Sequence, residues 1–155
     1  MSYRFTWVIP DLLAGMACPG YFAQIDADLD FLAEEGVRHI VTLTEFAVDM
    51  PPSDAFEVHH LPVVDFAAPE HPQTIKFCEL VDGAQTRGER VVVHCLAGIG
   101  RTGTFLASYL MWREGLTARQ ALSRVRSLRR EYVQSVEQEA YLDDWHLWLT
   151  EARGR

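Results

Sequence analysis

An α/β fold, one central sheet with helices over both faces and a helical C-terminal part, is predicted by three features of the sequence. VRHIVTL at 37–43 and RVVVHC at 90–95 are β-branched apolar runs, the pattern of strands buried on both sides. Segments with apolar residues at helical spacing alternate with such runs in the first two-thirds of the chain, and helices alone fill the rest. A glycine-rich turn joins the second run directly to a helix, the place where sheets of this kind bind ligands.

Taken in order, alternating Tyr3, Phe5, Trp7 and Ile9 predict a first strand, and Leu12 to Met16 a second. Ile25, Leu29, Phe31 and Leu32 fall on one helical face within Gln24 to Glu35, and Gly36 supplies a C-terminal stop. After the strand at 37–43, the polar, proline-bearing stretch from Glu45 to Ala55 reads as a loop. FEVHHLPVV at 56–64 reads as a strand ending near Pro62, and DFAAPEHP at 65–72 as a second loop. Pro72 suits the first position of a helix that runs through Ile75, Phe77, Leu80 and Val81 to Gly88. Beyond the strand at 90–95, a helix over 102–114 closes at Gly115. Thr117 with Gln120 and Ser135 with Gln138 are capping boxes that open two more. In the last helix Leu142, Trp145, Trp148 and Leu149 share a face and read as a core stripe. Repeats, linkers and low-complexity tracts are missing, so residues 1–155 read as a single domain.

Composition excludes whole classes of function. With 48% hydrophobic and 23% charged residues, the chain is neither disordered nor fibrous. Asp and Glu outnumber Lys and Arg 22 to 14, a net charge of −8 that disfavours nucleic acid and anionic membranes as partners. Any phosphate must therefore be held by a local site acting against the global field. Arg4 and Asp11 interrupt the apolar start, so neither a leader nor a membrane segment is expected. Cys18, Cys78 and Cys95 lack metal-type spacing, which fits a reducing, cytoplasmic setting.

The chemistry concentrates in His94-Cys95-Leu96-Ala97-Gly98-Ile99-Gly100-Arg101-Thr102-Gly103. Gly98, Gly100 and Gly103 match the dinucleotide fingerprint, but that reading requires a later strand carrying an acidic ribose ligand. The chain from Thr117 to Arg130 is instead an arginine-rich helix, and the cofactor reading fails. The same loop also describes an anion cradle. Glycines let several N–H groups converge on one point, and the following helix directs its positive end there. Arg101 adds a planar fork of donors that fits two phosphate oxygens. Cys95 lies beneath, where those fields favour a thiolate. A thiolate within a phosphate-shaped nest implies attack on phosphorus. A lone cysteine after a strand is ordinarily a small buried hydrophobe, and that reading stands for Cys18 and Cys78. At Cys95 it would require His94, Gly98, Arg101, Thr102 and Gly103 to coincide by accident.

HCLAGIGRTG resembles the HCxxGxxR[ST]G loop of cysteine-dependent protein tyrosine phosphatases, and the short chain resembles their small atypical dual-specificity members of the VHZ type. FTWVIPDLLAG, GVRHIVTLTE and EQE at 137–139 extend the likeness over most of the chain. The resemblance implies a dual-specificity phosphatase-like fold with Cys95 as the nucleophile that forms a phosphocysteine. Arg101 and the N–H groups of Leu96, Ala97, Gly98, Ile99, Gly100 and Arg101 would bind the phosphoryl oxygens. Thr102 would stabilise the departing thiolate, and His94 would hold the loop and help set the cysteine pKa. It implies no cofactor. His59 and His60, adjacent on a strand, point to opposite faces and make a poor metal-ligand pair, so no metal is expected.

A thiolate cannot protonate a leaving oxygen, so a carboxylic acid must come from another loop on the same sheet edge. Asp49, Asp54, Asp65 and Glu70 are the candidates. Asp65 follows a strand and precedes Cys95 by 30 residues, a spacing similar to that of the family's general acid. It sits in VVDFAAP rather than the tryptophan-proline-aspartate motif of the larger enzymes. Ser135 and Gln138 admit two readings, the capping box alone or, as the family implies, a polar group that positions hydrolytic water. Arg130 is followed by Glu131 where the family often has proline. Glu45, after a strand, is a residue for the mouth of the site.

The variable loop positions Leu96, Ala97 and Ile99 are apolar, whereas inositol-lipid phosphatases of this superfamily tend to carry basic residues there. The expected substrates are a phosphorylated protein or a small phosphate monoester, phosphotyrosine first and phosphoserine or phosphothreonine beside it. Phosphate, sulfate or vanadate would occupy the loop, and the protein would act as a monomer. Two rivals remain distinguishable by assay. A phosphate-dependent binding module would use the nest without turnover, but such proteins usually lack the cysteine, arginine or acid. A rhodanese-like sulfur transferase has no need of Arg101.

Overall fold

A computed structural model describes residues 2–154. Five strands, β1 (Thr6–Ile9), β2 (Leu13–Met16), β3 (Val37–Thr42), β4 (Glu57–His60) and β5 (Arg90–His94), form one sheet in the order β1-β2-β5-β3-β4. β1 pairs antiparallel with β2 and every other pairing is parallel, so the sheet is mixed. Five helices accompany it: α1 (Ile25–Glu34), α2 (His71–Thr86), α3 (Gly100–Glu114), α4 (Ala118–Leu128) and α5 (Val136–Arg153). The expected α/β architecture with helices on both faces is what the structure shows.

β5 is the central strand, and its side chains divide between two cores. Val92 faces α1 together with Ala14, Met16, Leu29, Leu32 and Ile40. Val91 and Val93 face the larger core with Leu13, Val41, Phe77 and Leu106. A strand covered on both sides must be apolar on both, which explains its continuous valine run. In α3 every residue from Gly100 to Met111 is buried. It packs against α2, α4, α5 and the sheet and is buried on all sides, with the Thr104 and Ser108 hydroxyls satisfied by carbonyls one turn back. The tryptophans of α5 behave as core: Trp145 is fully buried, donates Nε1–H to the Ser108 carbonyl at 3.1 Å and stacks on Trp148 at 5.3 Å.

Several boundaries differ from expectation. β1 begins at Thr6 rather than Tyr3, because the chain turns at Arg4, which has φ +57°. β4 ends at His60, two residues before the expected end at Pro62, which has no N–H to offer a ladder. The chain still follows β3, with Leu61 N–H bonded to the Thr42 carbonyl and Val63 N–H to that of Leu43. α2 begins at His71, one residue before Pro72, where the Gln73 carboxamide oxygen accepts the Glu70 N–H at 3.1 Å. α3 begins at Gly100, two residues earlier than read, which moves its positive end into the loop. Both capping boxes form as expected. Among the described residues no helix is long and apolar enough to cross a membrane.

His94 ends β5 and ties it to β3. Its Nδ1 lies 3.0 Å from the Cys95 carbonyl oxygen, which can only accept, so Nδ1 carries the proton. Nε2 therefore accepts the Thr42 hydroxyl at 2.8 Å. The Thr42 bond needs a neutral ring, since a protonated Nε2 cannot accept, and burial pushes His94 down from 6.5 to about 4. A histidine with a lowered folded pKa gives stability that is complete above its unfolded value and lost as pH falls from 6.5 towards 4. Denaturant titrations should show the wild type losing about 2 kcal/mol more than His94→Asn between pH 7 and pH 5. Parallel pH profiles for the two proteins would contradict this account of His94.

Candidate active site

The loop from Cys95 to Ile99 is held by its carbonyl groups, and they point away from its centre. The Leu96 carbonyl accepts from Cys18 N–H at 3.0 Å and that of Ala97 from Arg4 Nη1 at 2.8 Å. The Ile99 carbonyl accepts from Gly103 N–H at 3.0 Å and Val133 N–H at 3.2 Å. With the oxygens bound outside, the N–H groups of Leu96, Ala97, Gly98 and Ile99 have no acceptor among the described residues. The first turn of α3 adds the unbonded donors that every helix start carries. Successive loop N–H groups left without acceptors form a binding site for an anion.

Two glycines serve different needs. Gly98 has φ +78°, and a Cβ there would lie 2.5 Å from the Met16 carbonyl oxygen of β2. Gly103 has ordinary helical geometry but admits the 132–133 backbone, since its Cβ would come 2.7 Å from Val133 N. The loop's glycines are thus required as much for close approach as for conformational freedom. Val133 itself has φ +68°, as Phe66 has φ +63°. A β-branched residue in that region is strained, and such strain clusters at functional sites.

Cys95 is buried at the floor of the loop, where Thr102 Oγ1 donates to its Sγ at 3.1 Å. Arg101 is only 3% exposed. Its Nη1 donates to Glu45 Oε1 at 2.6 Å and to the Val63 carbonyl at 2.9 Å, and its Nη2 lies 3.4 Å from Asp65 Oδ1. Arg101 Nε is buried without an acceptor among the described residues. The Glu45 carboxyl is held below its usual range, first by its own backbone N–H and then by Arg101. Burial pushes the Cys18 thiol up to about 11 and Cys78 well above its ordinary value. Both stay protonated, as the small-hydrophobe reading of them requires.

The structure brings Cys95, Leu96 to Arg101, Thr102, His94 and Asp65 to one end of the sheet. Among the described residues Arg101 pairs with Glu45 and Asp65, and with none of Asp49, Asp54 or Glu70. Ser135 and Gln138 reach the same end, where both side chains bond to backbone groups. Ser135 Oγ donates to the Phe66 carbonyl at 2.6 Å and accepts Gln138 N–H at 3.1 Å. Gln138 Nε2 donates to the Ala67 carbonyl at 3.2 Å, while Oε1 accepts from Gln134 and Ser135 N–H. These bonds fasten the Asp65 loop to the start of α5.

Sequence reasoning missed Arg4 and Gln134. Arg4 sits in a strand-like apolar segment and reaches Ala97 across 93 positions, so no local signal marks it. Gln134 lies over the loop, and a Cβ on Gly100 would be 2.5 Å from its Oε1. Its place just before the N-cap Ser135 is the one signal that pointed there.

Comparison with known proteins agrees with this geometry. Tyrosine-protein phosphatase cdc-14 of Caenorhabditis elegans is 32% identical over 136 residues, which is 81% of this chain and 19% of the nematode protein. Dual specificity protein phosphatase 1B of Arabidopsis thaliana is 33% identical over 105 residues, covering 66% of this chain and 61% of the plant protein. The chain thus spans only part of the curated relatives it matches. The crystal structure of Tk-PTP in the active form superposes with a TM-score of 0.81 at 28% identity, over 95% of this chain and 99% of the other. Residues 14–115 match the family model Tc-R-P, described as a DSP-PTPase phosphatase of polymorphic toxin systems, and the chain belongs to the DSP-PTPase phosphatase family.

Proposed function

We propose that the protein hydrolyses phosphate monoesters through a phosphocysteine intermediate, with phosphotyrosine in proteins as the first substrate class and phosphoserine or phosphothreonine as the second. The observation that carries this reading is that the loop following Cys95 has N–H groups without acceptors among the described residues, beside the buried, unpartnered Arg101 Nε. A phosphoryl group supplies the acceptors those donors lack.

In the first step the Cys95 thiolate attacks phosphorus. The S–P bond forms as the ester O–P bond breaks, and Asp65 transfers its proton to the leaving oxygen. Arg101 and the loop N–H groups hold the equatorial oxygens, where charge builds in the transition state. In the second step Asp65 takes a proton from water as its oxygen attacks phosphorus, and the S–P bond breaks to release phosphate. The Thr102 hydroxyl, 3.1 Å from Sγ, stabilises the returning thiolate. His94, Ser135 and Gln138 position the loops and touch no reacting atom.

The protein substrate is supported by the relatives' names, tyrosine-protein and dual-specificity phosphatases. Apolar Leu96, Ala97 and Ile99 offer no charge for a second phosphate group. All proposed groups come from one chain, consistent with action as a monomer in one domain. The three free cysteines suit a reducing, cytoplasmic compartment.

Cys95→Ser should abolish turnover of p-nitrophenyl phosphate assayed with chelator present, while binding of the phosphate ester survives. Activity within tenfold of wild type in that variant would exclude the covalent route. Asp65→Asn should reduce kcat by about 10²–10⁴-fold on phosphotyrosine-like esters, the range of general acid catalysis. The loss should shrink as the leaving group becomes more acidic. The same trend appearing instead in Asp49→Asn, Asp54→Asn or Glu70→Gln would reassign the acid.

A further inference from the structure

Where β3 meets the edge strand β4, parallel register places three potential ligands together. His39 pairs with Glu57 and Val41 with His59, so His39, Glu57 and His59 emerge on one face of β3 and β4. His39 Nδ1 and His59 Nε2 are 3.1 Å apart. Glu57 straddles them, with Oε2 3.7 Å from the first nitrogen and Oε1 3.9 Å from the second. All three ligand atoms lie within 4.8 Å of one another, the one such group of His, Cys, Asp and Glu among the described residues.

The ring of His39 is only 3% exposed and is oriented from behind. Its Nε2 lies 2.8 Å from Glu89 Oε1, which also accepts Arg87 Nε at 2.7 Å. A carboxylate cannot donate, so the His39 proton sits on Nε2 and the Nδ1 lone pair points at His59 and Glu57. A carboxylate behind a histidine with its other nitrogen free is the outer arrangement that protein metal sites use. A hydrogen bond between the rings would satisfy the two nitrogens but leave Glu57 beyond bonding distance of both. With metal–nitrogen bonds of 2.0–2.1 Å, a tetrahedral ion separates its two nitrogens by about 3.3 Å, close to the spacing present.

We propose that His39 Nδ1, His59 Nε2 and the Glu57 carboxylate bind a divalent transition-metal ion of the zinc class, with water completing its shell. The ion is separate from the phosphate loop: His39 lies three residues, roughly 10 Å, along β3 from the Thr42 that bonds His94. Its effect is to clip the edge strand β4 to β3. The chain leaving β4 carries the Val63 carbonyl and Asp65 to Arg101, so the clip fixes the strand that feeds the site.

The test is calorimetric titration of chelator-stripped protein with zinc, with thermal melts alongside, on wild type and on Cys95→Ser, which removes the competing thiolate. Both should bind one equivalent at the cluster and melt at a higher temperature with zinc. His59→Gln and Glu57→Gln alter partly exposed positions of an edge strand, and should match the metal-free melting temperature of wild type yet lose that equivalent. Glu89→Gln keeps all three ligands and should weaken zinc by about 10–100-fold. The proposal is overturned if wild type takes up no zinc, if Cys95→Ser alone removes all binding, or if both Glu57→Gln and His59→Gln retain wild-type affinity.

Discussion

A guanidinium that is 3% exposed must find acceptors within the protein, and the functional end of this molecule is arranged around that requirement. Arg101 lies in the first turn of α3, directly after the loop that carries Cys95. Its Nη1 draws in Glu45 from beyond β3 and the Val63 carbonyl from the segment beyond β4, and its Nη2 faces Asp65. One buried charge thus fixes the relative positions of three strand ends and a helix start. Nε is buried without an acceptor among the described residues, as are the N–H groups of the neighbouring loop. In the proposed mechanism, the structural need of the cation and the binding of a phosphoryl group are two uses of the same side chain.

The surrounding contacts keep that arrangement rigid. His94 holds the floor of the loop through a neutral ring, and Thr42 ties it to the neighbouring strand. Arg4 and Cys18 N–H pull two carbonyls outward, which turns the N–H groups inward. Ser135 and Gln138 fasten the Asp65 loop to α5. Preorganised donors of this kind need no rearrangement as charge develops, and this is the usual source of large electrostatic contributions to catalysis.

Much of this was legible in the sequence because it is local. The valine run of β5, the capping boxes and the stops at Gly36, Gly88 and Gly115 each declare themselves within a few residues, and so does the Cys95 to Gly103 loop. What was illegible is long-range. Arg4 meets Ala97 across 93 positions, and Gln134 reaches Gly100 only after α3, α4 and α5 have packed. His59 shows the same limit. Beside His60 it is a poor ligand, because neighbours on a strand face opposite ways. Its partners, His39 and Glu57, become visible only once the register of β3 and β4 is known. Pro62 marked the end of β4 to within two residues, while the continuation of the chain alongside β3 left no local sign.

The central claim is that the thiol at the floor of the loop bonds covalently to phosphorus. Rapid acid quench of wild-type protein during turnover of an aryl phosphate, followed by peptide mass spectrometry, observes that bond directly. The account requires a phosphoryl group on the peptide containing Cys95, formed and lost at rates compatible with kcat. A phosphoryl group on any other residue, or undiminished turnover with unmodified Cys95 at every quench time, would contradict it.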